Sequence, residues 1–495
     1  MHMNAFDFIK KIETSYDVTT IKIKDMEVWP FLRIAYFFAY RDKEYKIERT
    51  DELKLKKAVR MFKNVLYGVG NFFKKNDFFI FTNLAGRRLL NGKYVNRLLF
   101  VLESELGADK ILNIENPAHS VHYNINSVST DKVVSSIFFR LLSYLPFFRK
   151  EIYIENKIIL KDINKRYKLN VNYNAIVTKF VRCALLFKYV FKIYKPKGIF
   201  VTQYYSLFHQ AAIYSGNMLG INTIEFQHGV INNQHIAYNL HNKMNKLLFP
   251  KYLFVFGNQV KSVFNESNYF INKNKVIPVG YMYIDYINHE YIPPQNVTKL
   301  FDKLRVKYKK IVAVSSQLTI EKELIIFLIK LAALDKDVLY IFVPRDVNKN
   351  YSEYNFQNNI MIIKNLNIYQ IIKESDFHAT VYSTCALEAP ALGIPNILIN
   401  INSMAKKYYK EILTNPETTK FVDNEEQFLN TLLSWKPKSK KEIMGGHNNF
   451  YEQNHKENLK KALRLVKTIE RKLCTSDSDR AKTRNVYYPK NRNNA

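Results

Sequence analysis

From residue 198 to residue 401 the chain alternates β-rich bursts with helical stretches of about 10 to 15 residues, and this pattern restricts the fold more than any other feature of the sequence. Strands joined through helical crossovers pair in parallel, and a parallel sheet is covered by helices on both faces. In such a sheet ligands gather at the carboxyl ends of the strands. The bursts at 198–202 and 222–226 flank a helical run at 206–219, and the second burst ends in Gln227-His228-Gly229. Further bursts follow at 252–256, 276–279, 310–315, 338–343 and 359–363, with helical runs at 321–334 and 368–374. Upstream, 77–83 and 109–114 are the first strands of the pattern, and 93–106 and 167–194 are helical.

The expected fold class is therefore α/β, with two domains built on parallel sheets. A length of 495 residues agrees, because a single core stops growing well below that size. The polar loop at 232–244 marks the change of domain near residues 240 to 255. The expected organisation is a helical N-terminal extension at 1–75, a first α/β domain at 76–245 and a second at 250–420. C-terminal helices at 421–474 and a disordered basic tail at 475–495 complete it.

The unit that carries most chemistry is 379–401, ATVYSTCALEAPALGIPNILINI. A strand runs into the hydroxyl pair Ser383-Thr384, a short helix bears Glu388, and Gly393-x-Pro395 turns back into a strand. Hydroxyls and free N–H groups at a helix start suit a phosphate; the plainer alternative is an N-cap. Glu388 lies four residues after Thr384, one turn along the same face, where a carboxylate can accept from a ribose or sugar diol.

At other strand ends, Gln227-His228-Gly229 offers a titratable ring beside a glycine that lets the chain turn. His228 is the candidate base, and Glu225 lies on the same sheet face as Gln227. Gln203 and Gly229 are expected to line the same edge. Ser316 and Gln317 end another strand and suit phosphate, and Arg345 ends a third and suits a diphosphate or carboxylate. For Ser316 and Arg345, capping and an ordinary surface charge explain the residues as well.

Other signatures narrow the function. The phosphate-loop pattern GxxxxGK[ST] and the dinucleotide pattern GxGxxG are absent, which counts against an NTPase and an NAD enzyme. His235 and His241 lack zinc spacing, the Asp335/Asp337 pair precedes its strand on the wrong edge for a site, and Asp477/Asp479 lies in the tail, so no metal is expected. Three cysteines, Cys183, Cys385 and Cys474, support no disulfide framework and point to a reducing, cytoplasmic compartment. The first residues lack a signal-peptide core.

The net charge of +31 favours an anionic partner, although a lysine-rich solvated surface accounts for it equally well. From Lys436 onward there are 16 Lys/Arg against 6 Asp/Glu, a charge that would suit an anionic leaflet. No nucleic-acid reading module accompanies it, so nucleic acid is not the expected partner. The apolar window 133–148 is broken by Arg140 and Pro146, too short to span a bilayer; it suits either a buried helix or a membrane interface.

Taken in order, IEFQHGVINNQHIAY, LFVFGNQV, VIPVGYMYID, VAVSSQL and VYSTCALEAPALGIPNILI resemble bacterial glycosyltransferases of GT-B architecture that build capsule, lipopolysaccharide or other surface glycans. The resemblance covers about residues 195 to 401. It implies two facing Rossmann-like domains and a nucleotide-sugar donor as substrate. The acceptor would be a glycan or lipid-linked glycan, with no cofactor and no catalytic metal. Ser383, Thr384 and Glu388 then match donor-binding positions, Ser316 and Gln317 the loop near the donor phosphates, and His228 the acceptor side.

Related sialyltransferases and teichoic-acid glycerophosphotransferases carry His-Pro after the strand equivalent to 338–343. Here Pro344-Arg345 follows, which counts against a CMP-sialic acid donor and leaves the anion to Arg345. The alternatives on the same architecture are a CDP-glycerol or ribitol type polyol-phosphate transferase, a UDP-sugar 2-epimerase, and a non-catalytic glycan-binding or scaffold protein. Inverting and retaining chemistry both stay open. The expected location is cytoplasmic, peripheral on the inner face of the membrane.

Overall fold

A computed structural model describes residues 3–44, 54–90, 92–118, 120–129, 132–148, 152–233, 235–265, 268–346 and 349–466. The expected tail at 475–495 lies outside the described residues. The fold is α/β, with two parallel sheets in two compact units. The first unit comprises the described residues up to Val255, together with Val260–Gly280 and those from Asn454 on; the second comprises Phe256–Gln259 and Tyr281–Gln453.

The first sheet has seven strands: β1 (Phe78–Asn83), β2 (Ile111–Asn116), β3 (Val133–Ser135), β4 (Gly198–Val201), β5 (Thr223–Phe226), β6 (Tyr252–Val255) and β7 (Val276–Pro278). Their order is β3-β2-β1-β4-β5-β6-β7, every pair parallel. The second sheet has β8 (Lys310–Ser315), β9 (Val338–Val343), β10 (Ile360–Ile362), β11 (Phe377–Thr380), β12 (Asn396–Ile399) and β13 (Thr419–Val422), in the order β10-β9-β8-β11-β12-β13. Both orders are doubly wound. The chain builds outward from one strand and then restarts on that strand's other side, leaving a switch point between β1 and β4 and another between β8 and β11.

Burial explains why the bursts read as unbroken apolar runs. Phe79, Ile80 and Phe81 of β1 and Ile311 to Val314 of β8 are wholly buried, as strands covered on both faces must be. The helix Tyr173–Tyr194 starts on Asn172, whose side chain accepts from Ala175 N, and ends on left-handed Lys195. Ser206 caps Leu207–Met218 in the same way.

Several expectations are corrected. The change of domain does not fall at 245–250: β6 and β7 complete the first sheet, and the second unit takes over at Tyr281, because parallel pairing to β5 outweighs the polarity of the loop before β6. The described residues of the expected 1–75 extension are no appendage. Ala5–Ser15 and Trp29–Glu44 bury Phe8, Ile12, Trp29 and Tyr36 in the first unit's core, and Phe31 stacks on Phe180 at 4.0 Å. Residues 93–106 are only partly helical: Arg87–Leu90 and Lys93–Asn96 form a hairpin before the helix Phe100–Leu106. The described part of the expected helical end, 421–466, is not a separate unit. Glu425–Ser434 packs on the second sheet beside β13, and the described segment 454–466 returns to the first unit.

Candidate functional site

At the switch point of the second sheet, Ser315-Ser316-Gln317 leaves β8 and Val381-Tyr382-Ser383-Thr384 leaves β11. The two ends are tied together. Gln317 Oε1 accepts from Tyr382 N at 2.8 Å, Thr380 Oγ1 donates to Ser315 O at 2.9 Å, and the hydroxyls of Thr319 and Tyr382 pair. Beneath them His378 donates from Nδ1 to Asn396 Oδ1 (2.7 Å) and meets Ser315 Oγ with Nε2 (2.9 Å), so a buried neutral ring pins the floor. Burial pushes its pKa down to about 4.

The elbow itself is polar. Ser383 Oγ accepts from Cys385 N at 3.3 Å, while Ala386 N and Leu387 N bond to the carbonyls of Ser383 and Thr384. Thr384 is exposed and makes no side-chain cap. Among the described residues, nothing accepts from the backbone N–H of Ser383 or of Thr384. Two adjacent free donors and an exposed hydroxyl at a switch point form an anion-accepting surface.

Glu388 follows in the helix Cys385–Ala391 and is buried to 5% exposure. Tyr369 Oη donates to its Oε1 at 2.7 Å, and Tyr281 Oη lies 3.4 Å from Tyr369 Oη. Tyr409 donates to Ser383 O at 2.8 Å, which fixes the elbow from below. Burial, with the Glu388 carboxylate adding, drives the Tyr451 phenol far up, and burial likewise lifts the Cys385 thiol to about 12; both stay neutral.

Ser316 sits at the same edge but is engaged: its hydroxyl donates to Glu321 Oε2 (2.7 Å), and Lys349 holds Glu321 Oε1 at 2.8 Å. Arg345 follows β9, whose Val343 is in register with Ser315. It is exposed and, among the described residues, has no hydrogen bond or ion pair.

In the first unit the carboxyl edge carries a row of amides across its switch point. Arg140 donates to Asn116 (3.4 Å), Asn116 to Asn83 (3.1 Å), and Asn83 to Gln203 Oε1 (3.4 Å). One strand further on, Gln227 donates to Gly229 O at 2.9 Å and is nearly buried. The half-buried His228 has Nε2 3.1 Å from Tyr205 Oη, and its Nδ1 is shielded and without a partner. Burial, with His235, Arg97 and His209 adding, pushes its pKa down to about 3, so the ring is neutral.

Glu225 has no exposed surface. Its Oε1 accepts from Tyr204 N (3.0 Å) and Tyr238 Oη (2.8 Å), and burial raises its pKa to about 8. The sequence suggested a catalytic carboxylate. The structure places it beneath the edge, holding Tyr204 and Tyr238, whose rings pack edge-on against Tyr205, the tyrosine that meets His228.

Sequence reasoning missed four supports. Arg33, fully buried, pairs with Glu13 at 2.7 Å and donates to the carbonyls of Ile236 and Asn239, so the N-terminal helices hold the loop after Gly229. Tyr205, Tyr369 and Lys349 complete the list. Their partners are 23, 19 and 28 residues away in sequence, beyond any local pattern. An open groove of about 510 Å³ runs along Trp29–Glu44, lined by Phe31, Ile34, Phe38, Ile176 and Leu207, and reaches Tyr205. No group of three or more His, Cys, Asp or Glu among the described residues is placed to hold a metal ion.

No family model matches the chain, and no curated protein does. Solved structures are similar at low identity. A UDP-GlcNAc 2-epimerase from Methanocaldococcus jannaschii is 13% identical, over 78% of this chain and 99% of that one, with a TM-score of 0.48. The glycotransferase of kitacinnamycin is 10% identical over 79% and 99%, with a TM-score of 0.47. The wall teichoic acid polymerase TagF is 13% identical over 85% and 98%, with a TM-score of 0.45.

Proposed function

We propose that the protein is a glycosyltransferase that moves a sugar from a nucleotide-sugar donor to a hydroxyl of a growing bacterial surface glycan. One observation carries the reading: the second sheet's switch point presents two unsatisfied N–H groups and the Thr384 hydroxyl one helical turn from the Glu388 carboxylate. That spacing suits a phosphate at the elbow and a diol at Glu388. The motif order from 222 to 401 supports the same reading.

In the transfer, the anomeric carbon–oxygen bond to the donor phosphate breaks and a bond to the acceptor oxygen forms. The negative charge that develops on the departing nucleotide would be met by the Ser383 and Thr384 N–H groups, and the exposed Arg345 guanidinium lies on the same sheet edge. If the reaction inverts, the acceptor proton passes to His228. That role requires the tautomer in which Nε2–H donates to Tyr205 Oη, leaving the lone pair on Nδ1. The opposite tautomer would make Nδ1 a donor to an acceptor oxygen. Gln203 and Gln227 would border the acceptor, with Glu225 as a positioning residue.

A thermal-shift panel of UDP-, GDP-, CMP-, CDP- and dTDP-sugars tests the reading. One nucleotide sugar should raise the melting temperature of the wild type and much less that of Glu388→Ala. If none does, the reading fails. If only a CDP-alditol does, the polyol-phosphate alternative replaces it.

A further inference from the structure

The helix Lys54–Val65 is held to the first unit by one face only. Asn64, fully buried, donates to Ser120 O (3.1 Å) and accepts from His122 N (3.0 Å). Helical positions advance roughly 100° per residue, so Leu55, Val59 and Phe62 lie within about 60° of one another and nearly opposite Asn64. They face away from the body: Leu55 is 76% exposed and Phe62 77%, and Leu66 in the following turn is 71% exposed. Singly exposed apolar residues need no explanation, but an ordered stripe does.

The stripe has neighbours. The helix packs beside Ser136–Leu142, which exposes Leu141 and whose continuation exposes Tyr144, Leu145 and Phe147. Phe147 meets Tyr189 on the Tyr173–Tyr194 helix at 5.9 Å, and Arg182 of that helix lies over Tyr144. The segments 54–66, 136–148 and 173–194 together hold ten Lys/Arg (54, 56, 57, 60, 63, 140, 179, 182, 188 and 192) and no Asp or Glu. The crowding is physical: burial and the neighbouring Arg140 and Lys57 lower the Lys179 pKa.

Three occupants are conceivable, and the chemistry separates them. A second copy would set ten cations against ten and repel. A nucleic acid would use the cations and leave the Leu55-Val59-Phe62 stripe in water. An anionic lipid surface takes both, with apolar side chains at the acyl boundary and lysines among the headgroups. No described helix is long and apolar enough to cross a membrane.

The geometry points to this face as a membrane-docking surface, on which the Lys54–Val65 helix lies in the plane of an anionic leaflet with Leu55, Val59, Phe62 and Leu66 inserted. The inference stands whether or not the protein transfers sugars.

Flotation of the full chain with vesicles tests it. The protein should bind phosphatidylcholine vesicles containing phosphatidylglycerol far better than phosphatidylcholine alone, and added salt should weaken binding. Phe62→Ser with Leu66→Ser should abolish flotation at an unchanged melting temperature, since both side chains are exposed. Lys56→Gln with Lys63→Gln should weaken it on the order of tenfold or more. In Phe62→Trp, indole emission should shift to the blue on adding anionic vesicles. Equal binding to both vesicle types, or full binding by the serine variant, overturns the inference. So does a dimer that the serine variant dissolves, or an oligonucleotide affinity that matches the vesicle affinity and survives that variant.

Discussion

Glu225 and His228 show how a residue's surroundings decide its role. A carboxyl held neutral by burial binds a proton that the unfolded chain releases above the ordinary carboxylate range. With a folded pKa of about 8 against 4.5 unfolded, its contribution is fully present below pH 4.5 and is lost as pH rises towards 8. Glu225→Gln keeps an acceptor for Tyr204 N and Tyr238 Oη, so the variant should lose less stability than wild type between pH 5 and pH 8 (about the window of the shift). Parallel melting curves across that range would refute this account. His228→Ala should lower transfer roughly 10²- to 10⁴-fold with the nucleotide-induced thermal shift intact, and equal turnover would remove His228 from the chemistry. Both residues could be singled out in the sequence because they end or border a strand. What could not be read was which of them water reaches, since Tyr204, Tyr205 and Tyr238 arrive from other elements. Glu388 was legible from its four-residue spacing, and its donor Tyr369 was not.

Elements were legible where pairing partners are buried and regular. The bursts at 310–315, 338–343 and 396–401 became β8, β9 and β12 with small shifts at their ends. The hairpin Arg87–Leu90 with Lys93–Asn96 had a signal that went unused, the Asn91-Gly92 dipeptide, where Gly92 adopts φ +77°. The domain change was misplaced because the 232–244 loop is polar in sequence, yet Arg33 and Glu13 lock it inside the first unit. The return Gly393-x-Pro395 was legible and has a steric basis. Gly393 has φ +78°, and a Cβ there would lie 2.7 Å from Lys440 Cβ and 3.0 Å from Lys440 O. Gly393→Ala should therefore cost about 1–3 kcal/mol through backbone strain and the clash with the Lys440–Gly445 helix. Chemical denaturation checks it, and a loss below a few tenths of a kcal/mol would mean the turn relaxes freely.

At the scale of the whole molecule, both units share one vulnerability, buried neutral histidines. His209, His228 and His235 lie in the first unit and His378 and His447 in the second, and desolvation pushes each far below the ordinary imidazole value, to about 4 or, for His228, about 3. Each ring also serves as a neutral partner. His209 donates to Gln203 O, His378 to Asn396, and His447 to Leu387 O at the start of the elbow helix. The unfolded chain takes up protons on these rings near pH 6.5 and the folded chain does not, so the stability they confer is complete above that value and is lost as pH falls towards 4. Glu225 acts with the opposite sign, but one carboxyl is set against six imidazoles, since His455 of the first unit is also buried and held down to about 4. Calorimetry from pH 7.5 down to pH 4.5 should therefore show melting that falls steeply below about pH 6.5, in both transitions if the units melt separately, because each carries at least two such rings. A melting temperature that stays level through this window would mean that water or structural relaxation reaches these histidines. The neutral rings assigned to both strand edges, His378 in the second sheet and His228 in the first, would then have to be abandoned.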